Sequence, residues 1–95
     1  MENKNIELDL FVGVSVTLTF TNTTGTCGSI LLDDIAGVRT NKNGVTIIDY
    51  YTGNPDCETD LFYVKESEEE VRKIIADAER MVEDAIEKYE IKLKE

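Results

Sequence analysis

The chain of 95 residues contains no histidine and no tryptophan, a single proline and only two cysteines. The lack of histidine removes the side chain that most often serves as a general base or a metal ligand. A zinc site built from cysteine and histidine is excluded, because Cys27 and Cys57 are too few and lie far apart. We expect both cysteines to be free thiols, with a disulfide between them as the alternative.

Motifs of the common enzyme chemistries are also missing. There is no glycine-rich phosphate loop that ends in lysine, and no cysteine beside an activating base. The stretch "DYYTGNPDCETD" does not have the ligand pattern of an EF-hand calcium loop. We therefore predict a protein that is not an enzyme and that carries no cofactor and no metal.

Basic residues are scarce, since 10 lysines and arginines stand against 20 acidic residues and leave a formal net charge of −10. Nucleic acids and anionic membranes would repel such a chain, so its natural partners are basic protein surfaces or cations. No apolar run approaches the ~20 residues of a membrane span. The segment "MENKNIELDL" lacks the apolar block of a signal peptide. We expect a cytoplasmic protein.

The first two thirds of the chain have the pattern of β-strands. Every even position from residue 6 to residue 20 is apolar, and the odd positions are mostly polar or small. This alternation predicts one long, half-buried strand, in which Gly13 marks a bend, a bulge or a division into two strands. Strand-like segments follow at "SILL", "IAGVRT", "VTIIDYY" and "CETDLFYV", and "NKNG" is typical of a hairpin turn. We predict an antiparallel meander of four or five strands.

The last third of the chain has a helical pattern. Ser67 and Glu70 form a capping box, after which apolar residues recur every three or four positions. We therefore predict an α+β fold and a single domain, residues 1–95, with a sheet in residues 1–64 and one long C-terminal helix in residues 65–95. A helix of about 39 Å would be longer than the strands. It must overhang, break near Glu90, or pack on a second chain, and the candidate dimer residues are Val82, Ala85, Tyr89 and Leu93.

Three groups of acidic residues are candidates for binding a partner. Along the helix, a row of like charges at spacings of three and four slightly destabilises the helix, and its members are Glu79, Glu83, Glu87 and Glu90. In "DCETD" the alternating residues Asp56, Glu58 and Asp60 would share one face of an extended strand, roughly 7 Å apart. The third group is the pair Asp33 and Asp34. The alternative for all three groups is a role in solubility or in protecting sheet edges.

Two families resemble parts of this sequence. Residues 35–76 resemble small motility proteins of the SwrD type, in which a hairpin leads through a Val-x-Glu-Ser element into a helix; the matching residues are Val64, Glu66, Ser67, Glu70 and Val71. The chain as a whole resembles small, acidic phage anti-CRISPR proteins in build and in the "YVKES" entry to the helix. The second resemblance implies mimicry of DNA and a location in the host cytoplasm. The matching residues concern folding, so no inhibitory residue is carried over.

From the charge and this resemblance we predict a non-enzymatic inhibitor that binds a basic, nucleic-acid-binding protein, such as a Cas nuclease or another CRISPR effector. It would compete with nucleic acid through its carboxylates, without binding nucleic acid or membrane itself. One alternative is a self-associating scaffold or adaptor with a helix-mediated homodimer. The other is a protein that sequesters a small molecule, anchored by Tyr50 and Tyr51.

Overall fold

A computed structural model describes residues 5–9 and 15–94 of the chain, with side chains as far as residue 88. Six strands precede one helix in the described residues: β1 (Ile6–Asp9), β2 (Ser15–Thr21), β3 (Cys27–Leu31), β4 (Ile35–Thr40), β5 (Thr46–Asn54), β6 (Cys57–Val64) and α1 (Glu68–Lys94). The strands form two antiparallel sheets, in the orders β1-β2-β3 and β4-β5-β6. The α+β class is confirmed, and the prediction of one sheet with four or five strands is wrong.

The alternating segment of residues 6–20 contains two strands. β1 and β2 are antiparallel neighbours in which Ile6 pairs with Leu18 and Leu8 with Val16. Apolar positions therefore face apolar positions across the pair, and their common face contacts the core. Of the alternatives that the sequence left open, the division into two strands is the one that the fold adopts, although Gly13 itself lies outside the described residues.

A single 3₁₀ turn, Leu32–Asp34, ends the first sheet and leads directly into β4. In the described residues only glycines have a positive φ, so this link lacks the left-handed residues of a tight hairpin. β3 and β4 therefore do not pair, and each is the edge strand of a different sheet. This break in the meander explains why there are two sheets and why Asp33 and Asp34 lie at their junction.

The two sheets also meet beside the start of the helix. Asn22 forms an isolated antiparallel bridge with Val64, and the backbone N–H of Lys65 donates to the carbonyl of Thr21 at 2.8 Å. The Glu66 carboxylate accepts the Thr21 N–H with both oxygens, at 3.0 and 3.1 Å. These contacts fix the end of β2 to the segment that enters α1.

The sheets and the first half of α1 share one hydrophobic core. Its fully covered side chains include Leu18 of β2, Ile48 of β5 and Val71 of α1, each 0% exposed. Phe62 of β6 lies directly on Gly28 of β3, where a Cβ atom would overlap the aromatic ring. Gly28 thus allows the inner faces of the two sheets to approach each other.

The predicted cap of α1 is present in part. The Ser67 hydroxyl accepts the backbone N–H of Glu70 at 3.1 Å, as a capping box requires, and the same hydroxyl donates to the Glu70 carboxylate at 3.3 Å. The helix then continues for 27 residues, about 40 Å. Because it runs through Glu90 to Lys94 without interruption, the suggested break near Glu90 is wrong. Among the described residues no helix is both long and apolar enough to cross a membrane.

Candidate functional site: an acidic groove beside the helix

An open groove of about 490 Å³ lies between the second half of α1 and the 3₁₀ turn. It lies beside the separation of β3 and β4, where the described strands contribute only Val16 of β2 and Ile35 of β4 to its lining. Its apolar lining comes from four elements: Val16, Leu32, Ile35, Ile75, Val82 and Ile86. Val16 is buried, four of these side chains are half-buried, and Ile86 is 43% exposed.

Three carboxylates complete the lining of this groove, namely Asp33, Glu79 and Glu83. Glu79 and Glu83 are one helical turn apart on α1, so their Cβ atoms are about 6 Å from each other. Asp33 reaches the same groove from the 3₁₀ turn. All three side chains are exposed, and no basic residue is among the described residues that line the groove.

The three groove carboxylates are electrostatically unpaired within the part of the chain that the structure describes. The ion pairs there are Arg39 with Asp49 on the second sheet and Arg72 with Glu68 at the start of α1. None of the three accepts a hydrogen bond from a described residue either. A lysine or arginine of a binding partner could therefore pair with these carboxylates without displacing a described basic side chain of this chain.

Two other predicted acids lie near the groove without lining it. Asp34 is the next residue of the 3₁₀ turn and is half-buried. Glu87 is exposed on α1, one turn beyond Glu83. The structure therefore brings together three of the six carboxylates that were predicted in these two segments, and the side chain of the sixth, Glu90, lies beyond the described side chains.

The remaining predicted acids lie on the β5–β6 hairpin, whose residues 51–61 are all exposed. We call this projecting segment the arm. Asp56 belongs to its turn, where its backbone N–H donates to the Asn54 side chain at 2.9 Å. Only Glu58 and Asp60 are in strand β6 and share a face. The predicted row of three equally spaced carboxylates is thus reduced to two, and neither lines the groove.

The two tyrosines proposed as anchors for a small molecule point to opposite faces of β5. Tyr50 is half-buried against the core, and its hydroxyl lies 3.5 Å from Asp60 Oδ2. Burial, followed by the negative charge of Asp60, raises the pKa of Tyr50 above its ordinary value. Tyr51 is 52% exposed on the other face. They therefore do not line one pocket.

The candidate dimer residues divide between described and undescribed side chains. Val82 lines the groove and Ala85 is half-buried. Tyr89 and Leu93 lie beyond the last described side chain. Elsewhere, Cys27 and Cys57 are free and exposed, and no group of three or more potential metal ligands occurs among the described residues.

Of the apolar residues that line the groove, only Val82 was predicted as a site residue, as a candidate for a dimer interface. Ile75 and Ile86 belong to the helical stripe that the sequence indicates, and their spacing was the available signal. Leu32 and Ile35 carried no such signal, because they lie where one sheet ends and the next begins. No protein-family model, curated protein or solved structure matches this chain.

Proposed function

We propose that this protein is a non-enzymatic inhibitor that binds a basic, nucleic-acid-binding protein and occupies the surface that would otherwise hold phosphates. The observation that supports it is the convergence of three unpaired carboxylates, from the 3₁₀ turn and from α1, on one open groove. The sequence resemblance gives the partner class, a CRISPR effector such as a Cas nuclease. The compartment is then the cytoplasm.

Electrostatics supports this assignment in two ways. Arginine and lysine pair with carboxylates through the same charge-assisted hydrogen bonds that they make to phosphates. The net charge of −10 also attracts a basic protein over a long range, which increases the association rate. Both effects weaken as salt rises, so the inhibition should be strongest at low ionic strength.

The groove is the primary surface in this proposal, and the arm is secondary. Glu58 and Asp60 add to the overall negative field, but the exposed apolar side chains of their strand, Leu61 and Tyr63, point to the opposite face. A partner held by the groove meets carboxylates on two sides, from Asp33 and from Glu79 with Glu83. This arrangement gives geometric specificity that a row on one exposed strand does not.

The test is an affinity capture from bacterial lysate at low and high salt, with bound proteins identified by mass spectrometry. A groove variant, Asp33→Asn with Glu79→Gln and Glu83→Gln, is compared with an arm variant, Asp56→Asn with Glu58→Gln and Asp60→Asn. Both variants remove three negative charges, so they differ only in where the charge is lost. Each captured protein is then assayed for binding of labelled nucleic acid in the presence of the purified chain.

We expect the wild type and the arm variant to capture the same nucleic-acid-binding protein at low salt and to displace its nucleic acid. The groove variant should do neither. Equal capture by the groove variant and the wild type, or captured proteins that keep their nucleic acid, would contradict the proposal.

A further inference from the structure

The apolar lining of the groove is a feature that phosphate mimicry does not require. Phosphates present charge without an adjoining hydrophobic surface, whereas here Val82 and Ile86 lie beside Glu79 and Glu83 on the same helix face. An exposed apolar side chain next to carboxylates fits a ligand that carries both apolar and basic side chains. The composition of the groove therefore restricts the partner more than charge alone does.

We infer that the groove holds an amphipathic, basic α-helix of the partner protein. The apolar residues of that helix contact Ile75, Val82 and Ile86, and its lysines or arginines pair with the three groove carboxylates. This inference rests on the proposed function, because it specifies which part of the basic partner is recognised.

The shape of the groove favours a helix over an extended peptide. Along α1 the lining extends from Ile75 to Ile86, about 16 Å or three helical turns. A helix in such a groove presents anchors at positions i, i+3 or i+4, and i+7, which matches this length. An extended peptide binds along a free strand edge, and among the described residues that line the groove Ile35 alone belongs to an edge strand, whereas most of the lining comes from α1 and the 3₁₀ turn.

Charge complementarity favours a foreign basic helix over a second copy of this chain. Each copy has a net charge of −10, and the described residues that line the groove include no lysine or arginine. A second copy that inserted its own α1 would bring the Glu79, Glu83 and Glu87 row against the same carboxylates. Like charges in contact oppose such an association.

The experiment measures binding of two labelled synthetic peptides to the full chain by fluorescence anisotropy. One peptide is a short helix with leucines at i, i+3, i+4 and i+7 and lysines elsewhere. In the other peptide every leucine is serine, so its charge is the same. We expect the leucine peptide to bind at least about tenfold more tightly, the ratio produced by burying one leucine-sized side chain.

Matched variants of the protein locate the binding site. Ile86→Ser should weaken binding of the leucine peptide about tenfold or more, whereas Leu61→Ser on the arm should leave it unchanged. Ile86 and Leu61 are 43% and 40% exposed, so the two substitutions remove similar accessible side chains. The groove double variant Glu79→Gln with Glu83→Gln should likewise weaken binding of the leucine peptide. The arm double variant Glu58→Gln with Asp60→Asn should weaken it less. Circular dichroism and urea unfolding verify that each variant is folded.

Equal affinity for the two peptides, or equal effects of Ile86→Ser and Leu61→Ser, would overturn the inference. So would a dimer in sedimentation velocity that dissociates on Ile86→Ser, because the groove would then belong to a second copy. If these results appear while the captured partner still depends on the groove carboxylates, the proposed function stands and only the helical ligand is wrong. If no nucleic-acid-binding protein is captured while the leucine peptide still binds the groove selectively, the proposed function is wrong, and the groove binds a basic helix of a partner of another class.

Discussion

The two halves of α1 have the same amphipathic pattern but different surroundings. In residues 68–78 most of the apolar face is covered, with Val71 and Ala78 0% exposed and Ile74 8% exposed, and only Ile75 reaches the groove. In residues 79–88 the corresponding side chains are only partly covered, and Ile86 is 43% exposed. The first half therefore completes the core, and the second half forms one side of the groove.

The two halves of α1 are covered to different extents because the helix is longer than the strands. α1 is about 40 Å long, whereas the longest strand has nine residues, about 30 Å, and the second sheet begins only after the 3₁₀ turn. The described strands leave the apolar stripe of residues 79–88 only partly covered. An apolar surface that folding leaves exposed is a candidate for binding.

The comparison is tested most strongly by making one substitution in each half. Ile74→Ala removes a buried side chain and should lower the free energy of unfolding by about 3 kcal/mol. Ile86→Ala removes a half-exposed one and should lower it by less than about 1 kcal/mol. Urea unfolding followed by circular dichroism measures both. Similar losses for the two variants would mean that the second half is packed as well as the first.

A second test concerns Glu66, a carboxylate that accepts hydrogen bonds, in contrast to the unpaired carboxylates of the groove. Glu66, at the entry to α1, accepts the Thr21 N–H with both oxygens. Glu66→Ala leaves this amide without its acceptor and should destabilise the protein by about 1–3 kcal/mol. Glu66→Gln retains an acceptor and is expected to recover most of the loss. If the two variants unfold at the same urea concentration, the Thr21 contact does not stabilise the junction of the sheets.

Local patterns predicted the elements better than their arrangement. β4 and β6 coincide with "IAGVRT" and "CETDLFYV", because the turn sequence "NKNG" follows the first and "TGNPD" precedes the second. The division of residues 6–20 was left open, since Ile6 pairs with Leu18 and even positions continue to face even positions across the turn. Alternation is therefore identical for one long strand and for this hairpin.

The site was predicted as separate charges rather than as a groove. Glu79 and Glu83 were recognisable as a like-charge row on one helix face. Their proximity to Asp33 depends on how the 3₁₀ turn directs the chain, which no local period encodes. The arm carboxylates had an equally regular spacing in sequence, yet they lie outside the groove. Spacing thus identifies a row of charges but does not determine what surrounds it.

A substitution in the like-charge row in the second half of α1 should change the free energy of unfolding by less than the substitutions above, and it should raise it. Glu83 has Glu79 and Glu87 four residues away on either side and one opposite charge, Arg80, three residues before it. Glu83→Gln should therefore raise the free energy of unfolding by roughly 0.2–0.5 kcal/mol at low salt. The measurement is urea unfolding at low and high salt, since screening should remove the gain.

Asp84→Asn is the matched control for the row. Asp84 has two opposite charges, Arg80 and Lys88, each four residues away, and one like charge, Glu87, three residues after it. Its neutralisation should lower stability by a similar few tenths of a kcal/mol. A gain for both variants would mean that the overall negative charge, and not the row, determines the effect.

The smallest expected effect concerns the first turn of α1 and its dependence on pH. Glu68 accepts hydrogen bonds from Arg72 Nε at 3.0 Å and from the Thr40 hydroxyl at 2.9 Å. Hydrogen bonding from Arg72, and then from Thr40, holds the pKa of Glu68 below its ordinary value of 4.5. The unfolded chain then binds the proton more readily, so the contribution of Glu68 is present above pH 4.5 and is lost as the pH falls through its lowered pKa.

The variant Glu68→Gln should therefore be slightly less stable than the wild type near neutral pH, and the difference should shrink toward zero below pH 4.5. Urea unfolding across this pH range measures the difference. Glu69→Gln is the control, because Glu69 lies in the same turn and is exposed. If Glu69→Gln gives the same pH profile, the effect comes from the positive end of the helix rather than from the contacts with Arg72 and Thr40. A steeper profile for Glu68→Gln would assign the effect to those contacts, which fix the packed half of α1 to β4.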